Sequence, residues 1–578
     1  MATTAVAEPI VAAPPRAPMP AQEQPDPRRW IALAVMTLGA FMVLVDTTIV
    51  NVAIPSIRNN LNATYADTQW VVAGYQLAYA ILLVTGGRLG DIFGRRRLFM
   101  IGVVGFTVTS VLSGLAQTPT MLIASRLGQG LTAAMLFPQG LSMITAVFPA
   151  AERAKAFGVF AASAGIAIVF GPLAGGLIVG NAVGGGAWRF IFLVNVPIGL
   201  LALAAAARFV PETRATGARG LDLRGVALIS AGLFALIFPL LEGRDAEWAP
   251  WTYASMIVGA LLLVVFMRYQ ARRTRAGRTT VVQPAMFRDR AFSVGALLAF
   301  LVFVGVPSSL FTLNLVFQAG LGFTALHAGL TTLGFSAGVF VGAIMGVRLE
   351  AKIGGRGVVA LGALLSAAGS VATVVVLHIA GGSVSTPQFF VPLLAMGLGF
   401  GNVAPRLFEV ILARVRSADA GSGTGVLTTI QQVGGALGVT VVGVVLFSLL
   451  GSNARTTITE STPQIRAAAV AEFHVPQAQL PGFTQTFENC FVARIEAKDP
   501  GAPVPGCPTP TSALLHAPLG RVASEALATT FVRSEQTALL VNAGVFTLAF
   551  VLVLALPRGA RHHHAGSGAT EEGRPPGR

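Results

Sequence analysis

Long apolar stretches recur along the whole chain, separated by short polar segments. Most are about 20 residues long, the length that a helix needs to cross the hydrocarbon core of a bilayer. They predict fourteen spans, at 31–54, 68–87, 98–117, 120–146, 157–179, 188–207, 223–241, 251–268, 291–316, 327–347, 357–379, 389–412, 421–450 and 536–556. The seventh and eighth are short, and losing one of them would invert every later connection. We predict an all-α polytopic membrane protein.

Arginine placement tests this segmentation, because basic residues concentrate in short cytoplasmic loops. With the N-terminus inside, the predicted inner connections carry Arg95, Arg96, Arg97, Arg153, Lys155, Arg208, Arg214, Arg219, Arg224, Arg268, Arg272, Arg273, Arg275, Arg278, Arg348, Lys352, Arg356, Arg414 and Arg416. The short outer connections carry Arg58, Arg189 and Arg244. This alternation favours fourteen spans in a plasma membrane, with both termini in the cytoplasm.

Composition agrees with that class and limits the partners. The chain is 54% hydrophobic and 11% charged, with a mean hydropathy of +0.71, whereas soluble domains are about 25% charged. Arginines at span ends account for the net charge of +15, so we expect a lipid bilayer around the chain and no nucleic-acid partner.

The polar segments are the two ends and one long outer loop. Residues 1–29 and 557–578 are predicted to be disordered cytoplasmic tails, and 1–29 lacks the continuous apolar stretch of a signal peptide. Residues 451–533 fall outside, where helix-like patterning at 464–473 and 519–531 predicts a small folded cap.

Both cysteines of the chain, Cys490 and Cys507, lie in the outer loop. An oxidising compartment would favour a structural disulfide between them, and two free thiols are the alternative. The histidines at 562–564 in the tail are either metal ligands or bystanders, and we predict no metal site.

Asp46 is a single carboxylate deep inside the first apolar run. Its burial requires pairing, protonation or a wet cavity. At 1.5 Å per residue, Asp46 lies about 12 Å and Arg126 about 9 Å from the outer ends of their spans. Arginine favours the charged carboxylate and desolvation favours the neutral one, so the pair predicts a proton-coupling site. The alternative is a permanent structural ion pair.

An internal repeat divides the chain. Residues 87–97 after the second span align with 347–356 after the tenth, on Arg-Leu, a later Gly and an Arg. Such repeats indicate two six-helix halves. We assign 30–210 to the N-terminal bundle, 211–290 to two inserted linker spans with a basic cytoplasmic loop, and 291–556 to the C-terminal bundle.

Five segments of the N-terminal half resemble one known family. They are Leu44–Pro55, Gly87–Arg97, Ser125–Gly130, Gly165–Gly176 and Trp188–Gly199. In this order they resemble the major facilitator superfamily, in its fourteen-span drug:proton antiporter branch (EmrB/QacA type). The resemblance implies the major facilitator fold, with two six-helix halves and two inserted spans.

The resemblance also implies roles for two glycine-containing motifs. The loop after span 2 would be a conformational latch, carried by Gly87, Arg88, Asp91, Gly94 and Arg95. In the second copy Ala351 replaces Asp91, so a matching latch is doubtful there. The fifth span would carry the antiporter motif, at Gly165, Gly171, Pro172, Gly175 and Gly176. Glycines allow close helix approach and Pro172 can bend the span, although ordinary small-residue packing is the alternative.

Other polar residues in the spans are candidates to line a substrate cavity, or else to join helices by hydrogen bonds. They are Asn51, Gln129, Asn314, Gln318, Glu409, Gln431 and Gln432. Glu409 shares a helix face with Arg406, and it is either a second cation site or part of a pair that reaches the interface.

Energy source and function follow from these features. Lys155, Lys352 and Lys498 do not follow a glycine, so there is no Gly-Lys phosphate loop, and no nucleophile triad or metal spacing is present. We predict no enzyme and no cofactor. We expect a monomeric, proton-driven exporter (antiporter) of amphipathic or cationic drugs and toxic compounds by alternating access. The alternatives are export of an endogenous metabolite or lipid, or a non-transporting scaffold or sensor.

Overall fold

A computed structural model describes residues 27–181, 186–214, 220, 222–243, 246–278, 280–412, 420–497, 504–507 and 518–555. Within these ranges the regular structure is entirely helical. The helices of the N-terminal part are α1 Arg29–Leu61, α2 Tyr65–Phe93, α3 Arg95–Gly114, α4 Pro119–Val147, α5 Ala150–Asn181, α6 Phe190–Leu193 and α7 Asn195–Phe209. Two helices follow, α8 Leu223–Glu242 and α9 Pro250–Arg275. The remaining ones are α10 Arg290–Leu315, α11 Ala325–Thr331, α12 Leu333–Ala380, α13 Thr386–Leu412, α14 Ala420–Glu460, α15 Thr462–Phe473, α16 Leu480–Glu496 and α17 Pro518–Val553.

Apolar runs become helices because a helix satisfies its own backbone groups where no water is available. Polar side chains begin several of them. Thr64 and Asp67 form a reciprocal capping box at the start of α2, and Asp289 accepts from the amides of Ala291 and Phe292 at the start of α10. These caps satisfy amides that a helix leaves without partners.

Every predicted span overlaps at least one described helix, although the sixth and the tenth each cross a break between two helices. Ten of the helices are long and apolar enough to cross a membrane, or eleven with the bent α2, counting the described residues alone. Predicted spans 10 and 11 share α12, where Gly354 has a φ of 73° and separates two helical segments. The chain is thus an all-helical multi-pass membrane protein, and the number fourteen stays a prediction.

The helices form two groups. The first is α1 to α7, where α4 packs on α2 and α3, and α1 packs on α5 and α7. The second runs from α10 to α17, where α12 packs on α13 and α17, and α10 packs on α14. Between them in sequence, α8 and α9 pack on each other, and α8 also contacts α2 and α14. This grouping places α8 beside the seam between the two halves.

The linker helices are attached by polar contacts. Trp70 of α2 donates from Nε1 to Glu242 Oε1 of α8, at 2.9 Å. Asp222, which caps α8, accepts from Tyr269 at 2.9 Å and from Gln270 at 2.8 Å, both on α9. Asp222 is buried, so these hydrogen bonds hold the linker pair together as a unit.

The two halves contact each other near one side of the helix bundle. We call the side that carries Arg95 at the start of α3 the basic side. Tyr65 of α2 packs on Phe447 of α14, with ring centroids 4.1 Å apart, and Gln318 donates to the Val52 carbonyl of α1 at 2.8 Å. These contacts lie away from the basic side, so the halves touch each other there.

The last helix corrects one predicted boundary. The span predicted at 536–556 belongs to a helix that begins at Pro518, because Ser534 and Glu535 are buried within the protein rather than exposed at a loop. The predicted helix at 519–531 is therefore part of α17. The helix predicted at 464–473 is confirmed as α15, and a small core of Ile458, Ile465 and Ala526 holds the cap together.

Candidate functional site

Asp46 lies in the middle of α1 and is completely buried, with 0% of its surface exposed. The hydroxyls of the next two residues do not compete for its carboxylate. Thr47 donates to the Val43 carbonyl at 2.9 Å, and Thr48 donates to the Leu44 carbonyl at 3.1 Å. The Asp46 carboxylate is thus left to partners on other helices.

Arg126 of α4 is the charged partner of Asp46, as their similar depths predict. It is 1% exposed, and its Nη1 donates to Asp46 Oδ2 in a buried ion pair. Its Nε donates to the Val71 carbonyl of α2 at 3.1 Å, and its guanidinium lies 4.2 Å above the Tyr75 ring. Arg126 therefore joins α1, α2 and α4.

Two amide side chains complete the set of donors. Gln129, one turn after Arg126, donates to Asp46 Oδ1 at 3.2 Å and to Ser110 Oγ at 2.8 Å, and it accepts from Arg126 at 2.9 Å. Asn195 of α7 donates to Asp46 Oδ1 at 2.9 Å. Asp46 thus accepts from three side chains, and the network ties α1 to α3, α4 and α7.

Asn195 and Ser110 are not among the residues predicted for this site, although Asn195 lies within the Trp188–Gly199 motif, and the sequence favours an interface anchor or packing role for Tyr75, which here lies against Arg126. All three are buried. A polar residue inside an apolar run was the available signal. Which helix faces which was not readable from the sequence.

This arrangement gives the Asp46 carboxylate one charged donor and two amide donors. A proton on Asp46 would remove the charge that Arg126 compensates. Arg126 would keep the Val71 carbonyl, Gln129 Oε1 and the Tyr75 ring, so it would not be left unpartnered. Arg126 therefore has partners in this structure besides the Asp46 carboxylate.

The glycines of α5 bring the two halves against each other. A side chain at Gly171 would overlap Thr48 of α1, and a Cβ at Gly175 would lie 3.0 Å from Ile49. On the other face, a Cβ at Gly176 would lie 3.0 Å from the Leu326 backbone in α11. The candidate motif residues thus place α5 between α1 and the C-terminal half.

The two remaining residues of that motif also face the C-terminal half. Pro172 presents its carbonyl 2.7 Å from the position of a Cβ on Gly329 of α11. Gly165 is looser, with Phe340 of α12 at 3.8 Å. Close approach is thus tightest toward the side opposite the basic one.

A small cavity of about 20 Å³ lies between the halves. Its lining is Thr48, Asn51, Pro172, Leu310, Asn314, Thr332, Phe335 and Ser336. Space of this size holds about one water, whereas drug-sized ligands occupy about 300–1,000 Å³. Two predicted lining residues, Asn51 and Asn314, are among these, and each has a buried Oδ1 without a hydrogen-bond partner in the described structure. In this state the cavity is therefore far smaller than a drug-sized compound.

The other candidate lining residues lie elsewhere. Gln129 belongs to the Asp46 network, and Gln318 joins the halves through Val52. Gln431 is buried and Gln432 half-buried in α14. The side chain of Glu409 lies outside the described residues.

On the basic side, the structure brings the predicted latch residues together. Asp91 at the end of α2 and Arg95 form an ion pair at 2.9 Å, and Arg95 also donates to the Ser142 carbonyl of α4 at 3.2 Å. The exposed amide of Arg96 donates to Glu212 at 3.2 Å. Asp91 thus ties α2 to the start of α3, while Glu212 caps α3.

The glycines of the latch lie at the same turn. Gly94 separates α2 from α3 with a φ of 110°, a conformation that favours glycine. Gly87 has room for a Cβ, 3.7 Å from Pro138 of α4. The side chain of Arg88 lies outside the described residues.

A second ion pair holds the basic side of α1. Arg29 donates to Glu152 at the start of α5 at 2.9 Å. This arginine lowers the pKa of the Glu152 carboxyl from its usual value.

The cap formed by α15, α16 and the start of α17 contains the cysteine pair. Cys490 of α16 and Cys507 form a disulfide, with Cα atoms 5.5 Å apart. No group of three or more His, Cys, Asp and Glu that could hold a metal occurs among the residues described here. The histidines at 562–564, the tails 1–26 and 556–578, and loop segments 498–503 and 508–517 lie outside them.

Comparisons with known proteins agree with this architecture. The sequence model of the Major Facilitator Superfamily matches residues 36–439. The probable actinorhodin transporter of Streptomyces coelicolor is 38% identical over 448 residues, covering 77% of each chain. The tetracenomycin C resistance and export protein of Streptomyces glaucescens is 33% identical, covering 73% of this chain and 77% of its own.

Solved structures share the fold. A bacterial homolog of the human lysosomal transporter Spinster, in an inward-facing occupied conformation, matches with a TM-score of 0.58 at 16% identity. That match covers 92% of this chain and 97% of the other. Fold and relatives are those of transporters rather than enzymes. The predicted resemblance is confirmed, and the chain belongs to the Major Facilitator Superfamily.

Proposed function

We propose that this protein is a proton-coupled exporter, an antiporter that moves amphipathic or cationic drugs and toxic compounds out of the cell by alternating access. The observation that carries the proposal is the buried Asp46 with its arginine and two amide donors. Burying a carboxylate in the membrane region is costly, so such a residue is a functional candidate by default. Asp46 also lies on the same helix as Thr48 and Asn51, which line the central cavity.

The export direction and substrate class have separate support. The relatives include proteins named as a transporter of actinorhodin and as an exporter of tetracenomycin C. The central cavity adds amide groups from Asn51 and Asn314 beside the apolar Leu310 and Phe335. A mixed lining of this kind suits an amphipathic compound.

The proposed cycle couples the charge of Asp46 to the side that is open. Fourteen spans, with both termini and the basic side in the cytoplasm, make the side of this structure where the halves touch each other the outer one. Ionised Asp46, paired with Arg126, corresponds to the state that receives substrate from inside. When the outer side opens, Asp46 takes a proton and the substrate leaves. The buried Asn195 Oδ1, which has no donor, is available to accept from the protonated carboxyl.

The proton gradient is the energy source in this scheme. Each charge that crosses the membrane contributes about 2.3 kcal/mol per 100 mV of potential. The Asp91–Arg95 latch would stabilise one of the two states by holding α2 to α3, and its ion pair would break when the basic side rearranges. The chain works as a monomer in this scheme.

The test is efflux of the lipophilic cation ethidium from cells that express the parent, Asp46→Asn or Glu247→Gln at equal levels. Glu247 is exposed at the turn between α8 and α9, so its variant is a matched loss of one carboxylate. We expect Asp46→Asn to abolish energy-dependent efflux and Glu247→Gln to retain it. Equal efflux by parent and Asp46→Asn would overturn the proposal.

The alternative substrate, an endogenous metabolite or lipid, keeps the same site and cycle. It predicts that the parent does not export ethidium. It also predicts that the parent moves protons when an extract of the native cell, which contains the metabolite or lipid, is supplied. A scaffold or sensor predicts neither. Removing the outer cap helices α15 and α16 separates it further, because export should survive while partner binding should not.

A further inference from the structure

A second buried polar seam lies in the C-terminal half, between α10 and α17. Asn542 of α17 donates to Ser309 at 2.9 Å, and Ser308 lies 3.3 Å from Asn542 Oδ1. Two turns earlier on the same face of α17, Glu535 Oε1 lies 2.9 Å from Thr312 Oγ1. All five residues are 0% exposed. Glu535 is therefore a fully buried carboxyl that does not belong to the Asp46–Arg126 network.

Its surroundings contain no compensating charge. Within the described chain, Glu535 forms no ion pair, and its Oε2 is buried without a hydrogen-bond partner. An ionised carboxylate in this position would lack both a counter-charge and a second donor. Burying such a charge is far more costly than burying the neutral acid.

The titratable groups described below, on helices that pack against α17, have other partners or are exposed to solvent. Glu460 of α14 pairs with Arg533 at 2.7 Å, and both are partly exposed. Glu472 of α15 accepts from the Leu519 amide, and His378 near the end of α12 is exposed. Among the described side chains of α10, Thr312 is the one that hydrogen-bonds to Glu535.

Hydrogen bonding favours the protonated acid as well. Thr312 Oγ1 is 3.1 Å from the Ser308 carbonyl and 2.9 Å from Glu535 Oε1, yet a hydroxyl has a single hydrogen. If Glu535 carries the proton, it donates to Thr312, which donates to Ser308. If Glu535 is ionised, Thr312 must turn toward it and leave the Ser308 carbonyl. The neutral form satisfies more groups.

We propose that Glu535 is a second proton-binding site, in the C-terminal half, that holds a proton in the state seen here and releases it to water when α10 moves away from α17. The inference rests on proton coupling as the proposed function. The two sites are then placed alike in the two halves. Asp46 of α1 contacts Asn195 of α7, and Glu535 of α17 contacts Thr312 of α10, so each site joins the first and last long helices of its half. Asp46 is paired with an arginine, whereas Glu535 has no ion-pair partner among the described residues.

The first measurement is infrared spectroscopy of the purified parent at pH 7. A protonated carboxyl gives a C=O stretching band separate from that of carboxylates. We expect this band in the parent and in Glu525→Gln, a matched change at an exposed position of α17, and its loss in Glu535→Gln. Thr312→Val should shift the band, since it removes the hydrogen-bond acceptor. That shift is measurable even if Glu535→Gln does not fold. Absence of the band from the parent would overturn the proposal.

The second measurement is the number of protons moved per ethidium in proteoliposomes, obtained from the membrane potential that just stops transport. We expect one proton fewer in Glu535→Gln than in the parent and Glu525→Gln. An unchanged ratio in Glu535→Gln would contradict the second site. If Asp46→Asn couples like the parent, or if the parent moves no protons, the proposed function itself fails instead.

Discussion

Removal of Arg126 should destabilise the protein more than removal of its partner Asp46. Arg126→Gln leaves the carboxylate with the amides of Gln129 and Asn195 as donors, in a site with 0% exposure. Asp46→Asn leaves an arginine that still has the Val71 carbonyl and Gln129 as acceptors. The two single variants are thus unequal.

The expected magnitudes follow from that difference. Breaking a buried ion pair from one side costs about 3–5 kcal/mol when an uncompensated charge is left, and we expect this for Arg126→Gln. Asp46→Asn also leaves a buried charge, but the Arg126 guanidinium keeps two oxygen acceptors and the Tyr75 ring, so its cost should lie at the lower end of that range, about 3 kcal/mol. The double variant has no buried charge at this site. It should therefore be more stable than Arg126→Gln by about 2 kcal/mol or more, with a non-additive double-mutant cycle.

The assay is chemical unfolding of the detergent-solubilised protein, followed by tryptophan fluorescence, for the parent, both single variants and the double variant. The double variant should recover stability without recovering efflux, since it lacks the titrating group. If Arg126→Gln is as stable as the parent, or if the costs simply add, Asp46 and Arg126 do not form a desolvated pair, and the coupling argument loses its basis.

Three further substitutions test other parts of the structure. Gly171→Leu should abolish transport at normal expression, because its side chain would overlap Thr48 of α1; efflux at the parent's rate would contradict a close approach of α5. Asp91→Asn should lower the transport rate several-fold by losing the ion pair to Arg95, with substrate binding retained in a ligand-quenching assay, and loss of binding would exclude a latch. Cys490→Ser should remove about 3 kcal/mol from the cap, by loop-closure entropy for a separation of 17 residues. Limited proteolysis would detect this loss, with efflux unchanged, and undiminished protease resistance would refute it.

The ion pair at the centre of the candidate site was predictable from sequence. Asp46 and Arg126 lie at similar depth inside apolar runs, where few other charged residues occur. The structure pairs them. Asn195 and Ser110 could not be assigned, because their role depends on the rotation of α7 and α3 about their axes. Apolar periodicity does not determine that rotation when a helix is apolar on most sides.

Glu535 was missed for a different physical reason. A boundary drawn by hydrophobicity ends at the first charged residues, and Arg533 and Glu535 ended the predicted last span on its outer side. The structure continues the helix to Pro518 because the cap covers this part of α17. The outer limit of a span is thus set by burial in protein as well as by lipid, and the sequence around one helix does not report what covers it.

The central claim is that Asp46 exchanges a proton as the two halves alternate. Its most direct test is a pH-sensitive dye sealed inside proteoliposomes while ethidium is added outside. The parent and Glu247→Gln should move protons in the direction opposite to the substrate, with a rate that follows the ethidium concentration, and Asp46→Asn should move none. Substrate-driven proton movement in Asp46→Asn equal to that of the parent would contradict the account.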